Sequence, residues 1–263
     1  MCLLVLAWRT HPQFRLVVAA NRDEFHARPS EPLAPWADLA GVVGGRDLQA
    51  GGAWFATDES RRVGIVTNFR EFGRQRRSAP SRGGLIPAYL AGAHPPGEFL
   101  QGLETDAPGY AGFNLLLANR KSLWYASNRA EQFARELPPG IYGLSNEFLD
   151  TPWPKLVRVR ARFEALLQSA GSADPEVLTP ELFAMLADRE TAPPDTVPPG
   201  DLSPEWARKL SAPFVLDAGY GTRCSTVLTI SGSGALRMTE RRFGADGAAT
   251  GQSEHLLNGG DDR

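Results

Sequence analysis

Cys2 is the residue with the most chemistry to offer. Removal of Met1 would leave a thiol and an α-amino group on one residue. The amine, with a pKa of about 7.7–8.0, is able to take the thiol proton, so such a residue serves as nucleophile and base together. The plainer account is a small buried residue whose thiol does nothing. Asn21-Arg22-Asp23-Glu24 comes next, polar and carrying both charge signs directly after an apolar run. An Arg lowers the pKa of a nearby thiol. An Asp holds an ammonium, and an Asn donates to an oxyanion. Alone, the segment also suits a strand-end turn with an Arg–Asp ion pair.

Further amides stand at strand ends, Asn68 and Asn146. They suit an oxyanion hole and equally the capping of turns. Arg223, before Cys224 and an apolar run, is a source of positive charge near a thiolate, while Cys224 itself reads as core. His11, His26, His94 and His255 show no metal-ligand spacing, so no metal site is expected. A Ser-His-Asp triad is unsupported because no GxSxG elbow occurs.

These residues need elements to hold them. Residues 2–8 and 14–20 are apolar and β-prone, and Thr10-His11-Pro12 turns between them, which predicts an opening hairpin. Its second strand would return to the level of the start of the first and bring Asn21 to Asp23 within reach of Cys2. Asn21 to Pro35 reads as a loop. Strands are expected at 53–57, 63–69, 113–118, 122–127, 140–146, 225–230 and 235–240, and short helices after Ser81 and Pro95. Leu156, Val159, Phe163, Leu166, Leu167 and Ala170 share one helical face. A second helix over 174–189 carries Thr179-Pro180 as a cap and first residue. The segment 191–204, with Pro193, Pro194, Pro198 and Pro199, reads as a long loop. The Gly44-Gly45 and Gly51-Gly52 pairs lack the spacing of a nucleotide motif and read as turns. Strands followed by helices and then more strands predict an α+β fold of mainly antiparallel sheets.

Composition bounds the functional classes. The chain has 263 residues, 42% hydrophobic, with a formal net charge of −2. That suits one domain over 1–245, followed by a flexible tail over 246–263. No basic excess marks a nucleic-acid surface. Arg70, Arg74, Arg76 and Arg77 form a local basic cluster, read as a solvated loop or an anion site. Two cysteines point to a reducing compartment. No signal peptide and no apolar run of about 20 residues is present, so a cytoplasmic, non-transmembrane protein is expected.

Taken together, several motifs carry a resemblance. They are Met1-Cys2 with Asn21-Arg22-Asp23-Glu24, Gly44-Gly45-Arg46-Asp47, Gly51-Gly52-Ala53-Trp54, Val66-Thr67-Asn68-Phe69-Arg70 and Ser81-Arg82-Gly83. To these add Gly143-Leu144-Ser145-Asn146, Thr151-Pro152-Trp153-Pro154-Lys155 and Tyr220-Gly221-Thr222-Arg223. The set resembles the NRDE family, that of Transport and Golgi organisation protein 2, over residues 2 to about 243. The resemblance implies an N-terminal-nucleophile-like fold, a four-layer αββα sandwich of two antiparallel sheets. It also implies similarity to cysteine amidohydrolases such as penicillin V acylases. In those, an N-terminal Cys attacks an amide, Arg and Asp follow strand 2, and two Asn bind the oxyanion. Cys2, Asp23, Asn68 and Asn146 fall at comparable places. The acylase Arg stands three residues before its Asp, where this chain has Ala20, and Arg22 is the nearest substitute.

Three functions follow as expectations. The first is binding or trafficking of a small hydrophobic, anionic metabolite, haem or an acyl-coenzyme A or lipid. Arg22, Arg70 and Arg223 would meet its acidic groups, with Asn21 and Glu24 nearby. No cofactor is required, and haem enters as a ligand. The second is a cysteine hydrolase of linear amides, with Cys2 attacking and Asp23, Arg22 or Arg223, Asn68 and Asn146 assisting. The third is a non-catalytic scaffold.

Overall fold

The computed structural model describes residues 2–71, 79–169, 173–196 and 202–260. Met1, Arg74, Arg76, Arg77, Ala170, Pro198 and Pro199, named above, lie outside them. The opening hairpin forms as expected. β1 (Cys2–Trp8) and β2 (Phe14–Phe25) pair antiparallel, from Cys2↔Arg22 to Trp8↔Leu16. β2 continues past its apolar run. Asn21 to Phe25, expected as a loop, stay extended because a strand from the far end of the sequence pairs with their other edge. β3 (Ser30–Pro35) takes up more of the expected loop. It is an edge strand, where Pro32 costs no ladder hydrogen bond.

β4 (Val42–Asp47), β5 (Ala53–Asp58) and β6 (Val63–Asn68) follow, then α1 (Leu85–Ala91) and α2 (Pro96–Leu103). β7 (Phe113–Ala118), β8 (Leu123–Ser127), the short β9 (Ala134–Glu136) and β10 (Gly140–Leu144) come next. α3 (Pro154–Leu167) buries Leu156, Val159, Phe163 and Leu167, the face its periodicity predicts. α4 (Pro175–Leu186) starts earlier than Thr179-Pro180 suggests. Asp174 caps it by accepting from the Glu176 amide at 2.8 Å, Pro175 fills the first turn, and Pro180 lies inside the helix. Beyond the Pro-rich segment, α5 (Pro204–Lys209) begins on a Ser203 hydroxyl that accepts from the Trp206 amide.

β11 (Tyr220–Ser231), β12 (Leu236–Phe243) and β13 (Ala249–Leu257) complete the chain. β13 corrects the expectation of a flexible tail. It pairs with β12 from Leu236↔Leu257 to Phe243↔Ala249, and Arg242 donates to Ser253 at 2.7 Å. Its side chains are half-exposed or exposed, so it has no apolar signature of its own and ladder hydrogen bonds define it.

The fold class is the expected α+β, with two antiparallel sheets each bearing helices. The chain divides into two compact units. The first holds Met1–Ala27, Pro139–Ser145 and Leu149–Arg263. Among the described residues its sheet runs β10-β1-β2-β11-β12-β13, with α3 and α4 packed on one face. Leu156, Val159, Phe163, Leu182 and Phe183 meet Leu3, Val5, Val17, Ala19 and Val227 there. Burying each large side chain contributes about 1.5–3 kcal/mol. The second unit holds Arg28–Pro138 and Asn146–Phe148. Its sheet runs β3-β4-β5-β6-β7-β8-β9, with α1 against β5 and β6 and α2 against β8 and β9. Among the described residues no helix is long and apolar enough to cross a membrane, which says nothing of a β-barrel.

Candidate functional site

In the first unit the sheet register fixes the site. Side chains alternate along a strand, so Val17, Ala19, Asn21 and Asp23 share the face of β2 that carries the helices, and Arg22 takes the other. Asn21 confirms the first set. Its amide donates to the carbonyls of Leu186 and Pro213, each at 2.9 Å, and its oxygen accepts from Ser225 at 2.5 Å. A side-chain amide has two N–H groups, and both are committed to these carbonyls. Asn21, expected at a ligand, instead ties β2 to the end of α4.

Arg22 is buried, and its register partners are Cys2 on β1 and Cys224 on β11. The row Cys2–Arg22–Cys224 thus sets one guanidinium-bearing residue between both cysteines of the chain. Cys224 is 4% exposed, in agreement with its reading as core. Two strand spacings separate Cys2 and Cys224, roughly 9.5 Å. A disulfide needs Cα atoms within about 7 Å, so the fold excludes one.

Asp23 is 1% exposed. Thr222 donates to its Oδ1 at 2.7 Å, and the same hydroxyl accepts from the Val215 amide at 2.9 Å. Tyr220 donates to the Asp23 carbonyl at 3.0 Å. Burial raises the Asp23 carboxyl above the ordinary carboxylate range. The ammonium of Lys155, the Thr222 hydrogen bond and Arg22 pull the other way. Arg223 is the extra residue of a bulge, since Thr222 pairs with Asp23 and Cys224 with Arg22. It is half-exposed and donates to the Phe25 carbonyl at 2.8 Å. Burial lowers its pKa, with the like charge of Arg22 adding to the effect. Glu24 is half-buried and accepts from the Phe25 amide.

The second unit gathers Asn68, Arg70 and Asn146. Asn68 ends β6 with its side chain exposed. Asn146 is buried and donates through Nδ2 to the Asn68 carbonyl at 2.9 Å, while its own carbonyl accepts from the Arg70 amide at 2.7 Å. One amide proton of Asn146 is therefore bound within the fold.

Sequence reasoning missed two residues here. Asn114 is fully buried, donates to the Glu147 carbonyl at 2.9 Å and accepts from Tyr125 at 2.8 Å. It anchors the segment that carries Asn146, and a polar residue inside the apolar run of β7 was its one signal. Lys155 is the other. It stands four residues before Val159, which stands four before Phe163, so the apolar row of α3 extends to a lysine.

Comparison with known proteins agrees with the motifs. The sequence model of the family "Transport and Golgi organisation 2" matches residues 1–245. The Transport and Golgi organization 2 homolog of Mus musculus is 31% identical over 257 residues, 92% of this chain and 92% of its own length. The Drosophila melanogaster Transport and Golgi organization protein 2 is 27% identical over 266 residues, covering 91% of each chain. Among solved structures, the Caenorhabditis elegans N-acylethanolamine-hydrolyzing acid amidase ortholog superposes with a TM-score of 0.47 at 11% identity, covering 86% of this chain and 92% of that one.

Proposed function

This chain belongs to the Transport and Golgi organisation 2 family, and on that premise we propose that it is a cysteine N-terminal-nucleophile hydrolase of linear amides. One observation carries the reading: Cys2 lies directly opposite Arg22, with the buried Asp23 next along the strand. The residue three before Asp23, Ala20, pairs with Leu4, whereas Arg22 pairs with Cys2, which supports Arg22 as the arginine of the reading.

Once Met1 is removed, the α-amine of Cys2 takes the thiol proton. The thiolate attacks the amide carbonyl carbon, and the C–N bond breaks as the ammonium returns the proton to the leaving amine. Water then attacks the thioester, giving a proton to the α-amine, and the thiol leaves with that proton as the carboxylic acid is released. Arg22 favours the thiolate, and Asp23 is the carboxylate that orients the ammonium.

The test is a panel of short- and long-chain N-acyl amides, read by amine release and by intact mass for an acyl adduct on Cys2. Cleavage should vanish in Cys2→Ala. In Arg22→Met it should fall about 10–100-fold, the effect of one to two pKa units on a thiol. No adduct and no amine from protein lacking Met1, or full activity in protein retaining it, would sink the reading.

A second reading, binding of a hydrophobic anion such as haem or an acyl-coenzyme A, is favoured by a separate observation. Phe25 is 61% exposed and packs edge-to-face on Tyr220, which packs on Trp206, beside the half-exposed Arg223. Such a patch offers an apolar platform and a cation together. Haem and palmitoyl-coenzyme A titrations should then saturate, with Kd rising at least about tenfold in Arg223→Ala, the loss of one charge-assisted hydrogen bond. Unsaturable binding, or the same Kd in the variant, counts against it.

A further inference from the structure

An exposed strand edge, with its row of backbone donors and acceptors, is a template for pairing with another chain. Among the described residues the two sheets end in β3, β9, β10 and β13. Three of these edges carry a guard. β3 holds Pro32 and Pro35, which offer no N–H. β9 is three residues long and includes Arg135 and Glu136. β10 is closed by Asp150, whose carboxylate accepts from the Gly143 amide at 2.7 Å and whose own amide donates to the Gly143 carbonyl at 2.7 Å.

β13 has none of these devices. It runs nine residues, Ala249–Leu257, without proline or lysine, and Glu254 is its one carboxylate. The chain on either side turns toward β12 and not along the outer edge. Before β13, the Gly244 amide donates to the Ala248 carbonyl at 2.9 Å and closes the hairpin. After it, Gly259 lies against the turn between β11 and β12, where a side chain would meet the Ser233 Oγ at 2.9 Å.

The strand is also complementary to itself. In two antiparallel copies related by a two-fold axis, opposed side chains share a face of the sheet. Overlap of all nine residues puts the middle one, Ser253, on the axis. Glu254 then stands opposite Gln252 of the second copy, and Leu256, 53% exposed, opposite Thr250. His255 meets Gly251, Leu257 meets Ala249, and no like charges meet. Gln252 already accepts from Arg241 at 3.3 Å, and Glu254 accepts from Thr239 at 3.1 Å. A row across the interface therefore reads Thr239–Glu254–Gln252–Arg241, with each carboxylate one residue from an arginine of the other copy. A register centred on Glu254 would set that acid against itself.

We propose that β13 is the interface of a symmetric homodimer, pairing antiparallel with β13 of a second copy about an axis at Ser253, so that two six-stranded sheets join edge to edge. About eight to ten backbone hydrogen bonds would cross it. An interface this narrow belongs with the weak, transient ones, which puts Kd at about 1–100 µM.

The test is sedimentation velocity of the full chain from about 1 to about 300 µM, a range that brackets that Kd. The wild type should pass from monomer to dimer. Gln252→Glu sets like charges opposite one another twice in each dimer and should raise Kd about two- to thirtyfold, while Gln252→Lys should lower it. Both changes are to an exposed side chain, so the monomer should fold as before. Ser253→Cys, facing its own copy across about 4.5–5.5 Å between Cα atoms, should give a disulfide-linked dimer under copper phenanthroline. Gln252→Cys and the wild type should not, because residue 252 lies two positions out of register with its copy, beyond the roughly 7 Å that a disulfide spans. A monomer over the whole range overturns the proposal. So does a dimer that ignores the charge at 252 or fails to link through Ser253→Cys, because it then uses another surface or another register. None of these readouts depends on what the protein cleaves or binds.

Discussion

Intact-protein mass spectrometry of the purified chain should find Met1 absent and one thiol, that of Cys2, consumed by a limiting dose of iodoacetamide about a thousand times faster than that of Cys224. Arg22 is the register partner of both residues, so its positive charge favours both thiolates and does not by itself separate them. Position in the sheet does. Cys224 is buried on β11, with β2 on one side and β12 on the other. Alkylation there requires the strands to part. Openings of core strands approach the global unfolding free energy, about 5–15 kcal/mol, and every 1.4 kcal/mol is tenfold, so an opening of only about 4 kcal/mol gives the thousandfold lag. Cys2 is the first residue of β1, and a terminal strand pair such as Cys2↔Arg22 opens at far lower cost than a core strand.

The pH profile sharpens the expectation. With Arg22 replaced by Met, the midpoint of Cys2 alkylation should move up by about one pH unit. Retained Met1, or a Cys2 no faster than Cys224, would end the hydrolase reading and leave ligand binding as the question. A fast Cys2 with no amide substrate would fit a thiol whose setting is preserved on a scaffold.

Gly52→Ala should be among the most damaging single substitutions outside the site, while Gly51→Ala next to it should be mild. The two glycines look alike in the sequence and serve different purposes. Gly51 closes the turn between β4 and β5 with φ of 70°, and a side chain there would meet nothing within 4 Å. Alanine at 51 costs only the left-handed backbone, about 1–2 kcal/mol. Gly52 has ordinary φ, but a methyl on it would come within 2.2 Å of the Gly83 carbonyl carbon and 2.4 Å of its oxygen. Those are backbone atoms, which cannot rotate aside as a side chain would. Overpacking typically costs 1–3 kcal/mol, and the rigid partner puts Gly52→Ala at about 3 kcal/mol or more. For a chain of this size that is roughly 6–12 °C in Tm. A thermal scan in which Gly51→Ala melts lower than Gly52→Ala would reject this assignment of roles.

The close approach also accounts for two motifs that the sequence presented as unrelated turns, Gly51-Gly52-Ala53-Trp54 and Ser81-Arg82-Gly83. They are the two sides of one contact. Thirty residues of chain separate them, and no local pattern reports a contact at that range.

The sequence by itself determined the opening hairpin, the apolar face of α3, the α+β class and the family. Each rests on something a short window of residues expresses: alternation, helical period, turn chemistry, or a string of motif residues. It also determined that Cys2, Arg22 and Asp23 are the residues to examine, because a hairpin returns the end of β2 to the start of β1. The tertiary structure alone decided which elements surround those residues. Asn21 to Phe25 carry no apolar signal, yet they are strand because β11 pairs with them from two hundred residues away. β13 is strand for the same reason, with β12 supplying its hydrogen bonds. Asn21 faces α4 and serves the fold, while Lys155, on a helix that the sequence located without assigning it a role, is buried in that helix's first turn. Periodicity records how much of an element is buried. Which charge a buried acid meets depends on neighbours brought together by the whole chain, and a window of sequence does not contain them.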